Sequence, residues 1–286
     1  QMSGCSFIFK KVIMKNILVP IDFSKASFNA ARYAVFLAKA FDAEVWLVNA
    51  NAPVIMVEDS VLASVMITQA EILENNKLLM QKEVRMLSNV YPNLAGWVQE
   101  GFPDEVIDEM AKMKHVDLIV MGMKGKGKSN SVFGSITTAI IRKSAFPVFV
   151  IPENADYKPI GNITFASDFD AQIKIDRYTL LLKLAEKLNS QVHILNVQKN
   201  DSSLKPDKAI GKMNTSLAFS KVTHQFQTIN ERTVEEGINE FIEKNPTDIL
   251  AMVAHRHNLF ERMFSKVHTK EMSYQTKIPL LILPDK

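Results

Sequence analysis

Gly125, Gly134, Ser135 and Thr137, set among Lys124, Lys126 and Lys128, are the residues whose types and spacing best suit chemistry in this chain. Glycine lacks a Cβ, so neighbouring backbone amides can come close to an anion. The two hydroxyls are donors, and the lysines bring mobile positive charge. Ahead of the loop, residues 117–121 form an apolar run that reads as a buried strand, ending at Gly122. Behind it, residues 136–143 read as a helix, whose N-terminus offers unpaired N–H groups and the positive end of a dipole. Strand, glycine-rich loop and helix start, in that order, make the chemistry of a phosphate cradle. The spacing is not that of a Walker-type P-loop, nor that of a dinucleotide fold. The plain alternative is a glycine- and lysine-rich surface connector.

The elements that must position this loop are legible around it. Ile17, Leu18, Val19 and Pro20 read as a first strand, with Asp22 at its end and Asp22 or Ser24 able to cap a following helix. Ala30, Tyr33, Ala34, Leu37, Ala38 and Phe41 recur at helical spacing. Residues 44–50 give a second strand, 61–88 a long amphipathic helix with Leu62, Val65, Met66, Leu73, Leu79, Met80, Val84 and Leu87 inside, and 97–100 a third strand. Pro103 opens a third helix, as suits proline in a first turn. Residues 147–152 are the fifth strand. Alternating strands and helices predict an α/β fold: a doubly wound parallel five-stranded sheet of order 3-2-1-4-5 with helices on both faces. That order makes the ends of strands one and four neighbours at the switch point, where such sheets bind ligands. Asp22 then lies beside the cradle.

The pattern repeats. Asn162 to Asp170 echo Asn16 to Ser24, with Asp168 in the place of Asp22; residues 248–253 echo 117–122, and 278–284 echo 146–152. The chain therefore reads as two tandem sheets: 14–154 with the motif and 155–286 with a degenerate one. Residues 1–13 read as a leader outside the fold, with Met14 a natural start. Counted without gaps from Pro147 and Pro279, Gly122 falls on Ala254, Gly125 on His257 and Gly134 on Lys266, while Thr137 meets Thr269. With the glycines gone, the second half is expected not to hold a nucleotide-like anion in the same way.

Composition narrows the classes. The chain has 286 residues, 47% of them hydrophobic, enough for one large or two ordinary cores. A net charge of +3 gives no global field for nucleic acid, and no aromatics interleave with the loop lysines to make a stacking platform. No apolar run is long enough for a bilayer. The one cysteine, Cys5, allows no internal disulfide and fits a reducing compartment, so the expected location is the cytoplasm.

On residues 17–24, 117–122, the glycine loop into Gly134-Ser135-Ile136-Thr137, and residues 147–152, the chain from Met14 onward resembles a tandem universal stress protein. The nucleotide-binding branch of that family carries Gly-x-x-Gly, a spacer, then Gly-Ser or Gly-Thr. The spacer here, 126–133, is one residue shorter than the family's usual one. The resemblance implies an ATP site in the first half. Pro20, Ile21 and Asp22 would line its adenosine end, Ala50 would meet the base, and Met121 and Gly122 would pack near the ribose. Gly125, Gly134, Ser135, Thr137 and the Ile136 amide would hold phosphates, with Mg or Mn bridging them. In this family strand five commonly mediates dimer contacts, so the two fifth strands are expected to pair within one chain as a pseudo-dimer or to recruit a second chain.

No nucleophile with a paired base is apparent, so the expected role is an ATP-binding regulatory protein rather than a fast enzyme, with slow hydrolysis at most. The competing class is a nucleotide-independent scaffold acting through protein partners. A third reading puts a transition metal on His255, His257 and His268; no cysteine supports it.

Overall fold

The computed structural model describes residues 14–53, 69–123, 133–155, 158–198, 206–254 and 278–285. In the first half, β1 (Asn16–Pro20), β2 (Glu44–Asn51), β3 (Leu94–Glu100), β4 (Leu118–Gly122) and β5 (Val148–Ile151) alternate with α1 (Lys25–Phe41), α2 (Gln69–Ser88), α3 (Pro103–Met113) and α4 (Ser135–Lys143). The second half contributes β6 (Asn162–Ala166), α5 (Thr179–Leu188), β7 (Gln191–Gln198), α6 (Pro206–Ala218), β8 (His224–Asn230), α7 (Val234–Lys244), β9 (Ile249–Ala254) and β10 (Leu280–Pro284). The expected leader and the first part of the long helix, residues 61–68, lie outside the described residues.

The strands run β3-β2-β1-β4-β5-β10-β9-β6-β7-β8. Each half has the 3-2-1-4-5 order expected, and the halves join edge to edge into one continuous sheet. Every pairing is parallel except the seam, where β10 runs antiparallel to β5 with Leu281 opposite Phe149. The fifth strands therefore pair within the chain, and among the described residues the sheet ends on β3 and β8. Neither seam strand is left as an open edge that would template further pairing.

Side chains alternate across each strand and fill two layers. Ile17 and Val19 of β1 face α1, whose Ala30, Ala34, Leu37 and Ala38 are buried at helical spacing. Leu18 faces the opposite layer, with Ile107 and Met110 of α3 and Ile140 and Ile141 of α4. The second half repeats this with α5 on one face and α7 on the other. In α2, Met80 and Leu87 are buried as expected, but Leu79 is exposed; Met80 and Val84 of this helix turn toward Gly96 of β3, which directs Leu79 outward. Among the described residues, no helix is long and apolar enough to cross a membrane.

Both halves are pinned at the same places. Asp117 Oδ2 accepts from the amides of Lys15 and Asn16 at 2.7 and 3.0 Å. Asp248 Oδ2 accepts from Gly161 and Asn162 at 2.9 and 2.8 Å. Each aspartate thus ties the strand it precedes to the entry of β1 or β6. Burial pushes the Asp248 carboxyl up, but Lys158 and the two amides outweigh it and hold the group below the usual range.

Candidate functional site

A cleft of about 360 Å³ opens where β1, β2 and β4 end. Its wall takes Pro20, Ile21 and Asp22 from beyond β1, Val48, Asn49 and Ala50 from β2, and Met121 and Gly122 from β4. Ser24 and Ser27 at the head of α1, Pro103 and Ile107 of α3, and Gly134, Ser135, Ile136 and Thr137 at the start of α4 complete it. Every residue singled out in the first-half sequence lines this one cleft, except Gly125, which lies outside the described residues with Lys124, Lys126 and Lys128. The size suits a small-molecule ligand.

The end of β1 is shaped by a local turn. Asp22 Oδ1 accepts from the Ser24 amide at 3.0 Å, and Ser24 and Ser27 form a reciprocal capping box on α1. Between them Phe23 adopts φ 60°, a left-handed conformation unusual for a bulky residue. That turn swings the chain sharply into α1 and leaves Asp22 half-buried in the cleft wall. No feature of sequence spacing announces it.

The cradle's other wall is α4. Gly134 is its N-cap and makes no side-chain cap, so the first-turn amides have neither an intrahelical acceptor nor a capping side chain. Ser135 is exposed and lines the cleft. Two of the expected phosphate donors are otherwise engaged. The Gly134 amide donates to Met123 O at 2.9 Å, closing the base of the glycine loop. The Thr137 hydroxyl is buried and donates to Gly122 O at 3.1 Å, bracing α4 against β4. This leaves Ser135 and the amides of residues 135–137 as the donors on this wall. Gly122 has a packing reason of its own: a Cβ there would sit 2.8 Å from the backbone carbon of Ala26. Lys143 of α4 bonds Asp104 of α3 at 2.8 Å, joining two lining helices; this bond holds the Asp104 carboxyl below its ordinary range and lifts the Lys143 ammonium.

The equivalent place in the second half is built differently. Phe169 repeats the left-handed turn at φ 54°, but a stretch of coil and a 3-10 turn (Ile175–Tyr178) precede α5. Helix α6 packs directly on that coil: a Cβ on Gly211 would meet Phe169 O at 2.0 Å. Lys208 of α6 lies 3.5 Å from Asp168, the counterpart of Asp22. The strand ladders also shift the glycine comparison by one. Ile17 pairs Leu118 and Ile163 pairs Ile249, so Gly122 is matched by Val253 rather than Ala254. The stretch up to the proline before the fifth strand is one residue longer in the second half, which ungapped counting from that proline misses. His257, Lys266 and Thr269 lie outside the described residues, as do His255 and His268. Among the described residues no cluster of three or more His, Cys, Asp or Glu is placed to hold a metal.

Comparison with known proteins gives a consistent picture. Residues 14–152 match the model of the universal stress protein family. A universal stress protein of Methanocaldococcus jannaschii is 31% identical over 140 residues, covering 49% of this chain and 82% of that protein. In structure, a universal stress protein from Archaeoglobus fulgidus superposes with a TM-score of 0.69 at 15% identity, covering 95% of this chain and 97% of that one. A structure described as a putative universal stress protein from Pseudomonas aeruginosa superposes at 0.60 and 11%, covering 95% and 93%. At these identities the two structures speak to the fold.

Proposed function

The chain belongs to the universal stress protein family, and from that premise we propose that its first half, residues 14–154, binds ATP in the cleft at the ends of β1, β2 and β4. The observation that carries this reading is the pairing, across one cleft, of an apolar strand-end wall with an uncapped helix N-terminus. Ile21, Ala50 and Met121 suit a nucleoside, with Pro20, Asp22 and Gly122 beside it. Ser135 and the first-turn amides of α4, including that of Ile136, suit phosphate; Gly125, expected to share that role, lies outside the described residues. Gly134 and Thr137 act as struts that set the angle of α4. A magnesium or manganese ion would be held chiefly by the phosphates, because the described wall brings one carboxylate, Asp22. Such an ion would neutralise phosphate charge.

The second half, residues 155–286, serves as a structural partner. Lys208 beside Asp168, α6 packed on Phe169, and Val253 in place of Gly122 all favour a ligand-free role there. A nucleotide-independent scaffold is the second reading, and the engagement of the Gly134 amide and the Thr137 hydroxyl within the chain favours it.

Calorimetric titration of ATP with Mg²⁺ into the full chain separates these readings. We expect saturable binding near one nucleotide per chain. Two per chain would contradict the assignment to the first half, and no binding would move the weight to the scaffold.

A further inference from the structure

Among the described residues, three buried side-chain atoms on β2 lack a hydrogen-bond partner: Trp46 Nε1, one atom of Asn49 and one of Asn51, the last two toward the cleft end of the strand. Asn49 is buried and lines the cleft; its Nδ2 donates to Ile21 O at 2.7 Å. That bond fixes the amide's orientation, since a flipped amide would set oxygen against oxygen. Its Oδ1 is then a buried acceptor with no donor among the described residues. Two residues on, and therefore on the same face of the strand, Asn51 is also buried, and its Nδ2 is a donor with no acceptor among the described residues. The second half supplies a comparison. Asn196, at the position of Asn49, makes the same tether to Ser167 O at 2.8 Å, yet neither it nor Gln198, at the position of Asn51, holds such an orphaned buried atom. The tether is common to both halves; the unmatched pair belongs to the half with the cleft.

We infer that Asn49, seconded by Asn51, is the specificity determinant of the cleft, reading a 6-aminopurine base by accepting from its exocyclic amino group. This rests on the nucleotide reading above. β2 is separated from the β4–α4 wall by β1, a span of about 10 Å at the usual strand spacing. That is the reach of a nucleoside, so a ligand with its phosphates at α4 brings its base to β2. Adenine presents an amino donor beside a ring acceptor, the complement of an orphan acceptor followed by an orphan donor. Base entry must part the contacts that now cover these atoms, and the hydrogen bonds formed offset that cost. Asp22, at the end of β1, is left to the sugar.

The test compares ATP with purine riboside triphosphate, identical but for the missing 6-amino group, by calorimetry on the full chain. The native protein should bind ATP at least about tenfold more tightly, equivalent to about 1.4 kcal/mol. In Asn49→Ala the ratio should fall to within about twofold. Loss of the Ile21 tether weakens both ligands together and leaves the ratio alone, so a merely structural role cannot imitate this result. Asn196→Ala, which removes the matching tether, should keep the native ratio. Equal binding of both ligands by the native protein would overturn the inference without recourse to any variant. A preference for ATP that survives in Asn49→Ala would overturn it while leaving the ATP site standing. Failure of the native protein to bind either ligand would overturn both readings.

Discussion

Burial sets the direction of the pH response at His193. The ring is buried beside Phe241, and its Nδ1 lies 2.6 Å from Gln225 Nε2, which makes Nδ1 the acceptor and places the proton on Nε2. Loss of hydration holds its pKa below the ordinary value of 6.5. Above that pH both the folded and the unfolded chain carry neutral imidazole. As the pH falls below it, the unfolded chain takes up a proton that the folded chain resists, and stability is lost down through the folded pKa. Urea midpoints at pH 7.5 and 5.5 should therefore differ by less in His193→Gln than in the native protein. An unchanged difference would remove His193 from the account. Single residues of this kind were hidden in the sequence for a common reason. Thr137 bonds Gly122, Asn49 bonds Ile21, and Lys208 sits by Asp168, each across a separation that only the folded sheet closes. The types and spacing of Gly134, Ser135 and Thr137 single out the start of α4, which lies in the cleft wall; which of them still has a proton to give depends on those distant partners.

At the scale of elements, local chemistry and packing agree closely. The inner strands β1, β2, β4 and β5 fall where the apolar runs place them, because parallel strands covered on both faces are continuous apolar stretches; the edge strand β3, half-exposed and with little apolar run, begins three residues before the expected 97–100. Pro103 opens α3 and Thr233 caps α7 through a capping box with Glu236. Helix α2 was harder to read, because Leu78, Leu79 and Met86 add apolar residues to a face that the structure leaves exposed. Gly122 shows how an element imposes a residue: α1 crosses so close to the end of β4 that the nearest obstacles to a Cβ are the backbone carbon and oxygen of Ala26, at 2.8 and 2.9 Å. Backbone cannot turn aside as a side chain can, so Gly122→Ala should cost about 1–3 kcal/mol. In thermal unfolding the midpoint should fall by several degrees. An unaltered midpoint would show that α1 yields freely and that this glycine is kept for another reason.

Across the whole molecule, one sheet of ten strands carries two halves of the same strand order with opposite treatment of their strand ends. The antiparallel seam of β5 and β10 reverses the direction of the second half, so the ends of β1, β2 and β4 and the corresponding ends of β6, β7 and β9 point opposite ways along the sheet. The two places thus lie apart on one body, and the proposed nucleotide occupies the first alone. Amide hydrogen exchange on the full chain, with and without ATP and Mg²⁺, tests that assignment most directly. Exchange should slow at residues 22–24, 49–51 and 135–138 and stay the same at residues 167–170 and 251–254. Protection at the second set, or no local change at the first in a chain saturated with ATP, would contradict it.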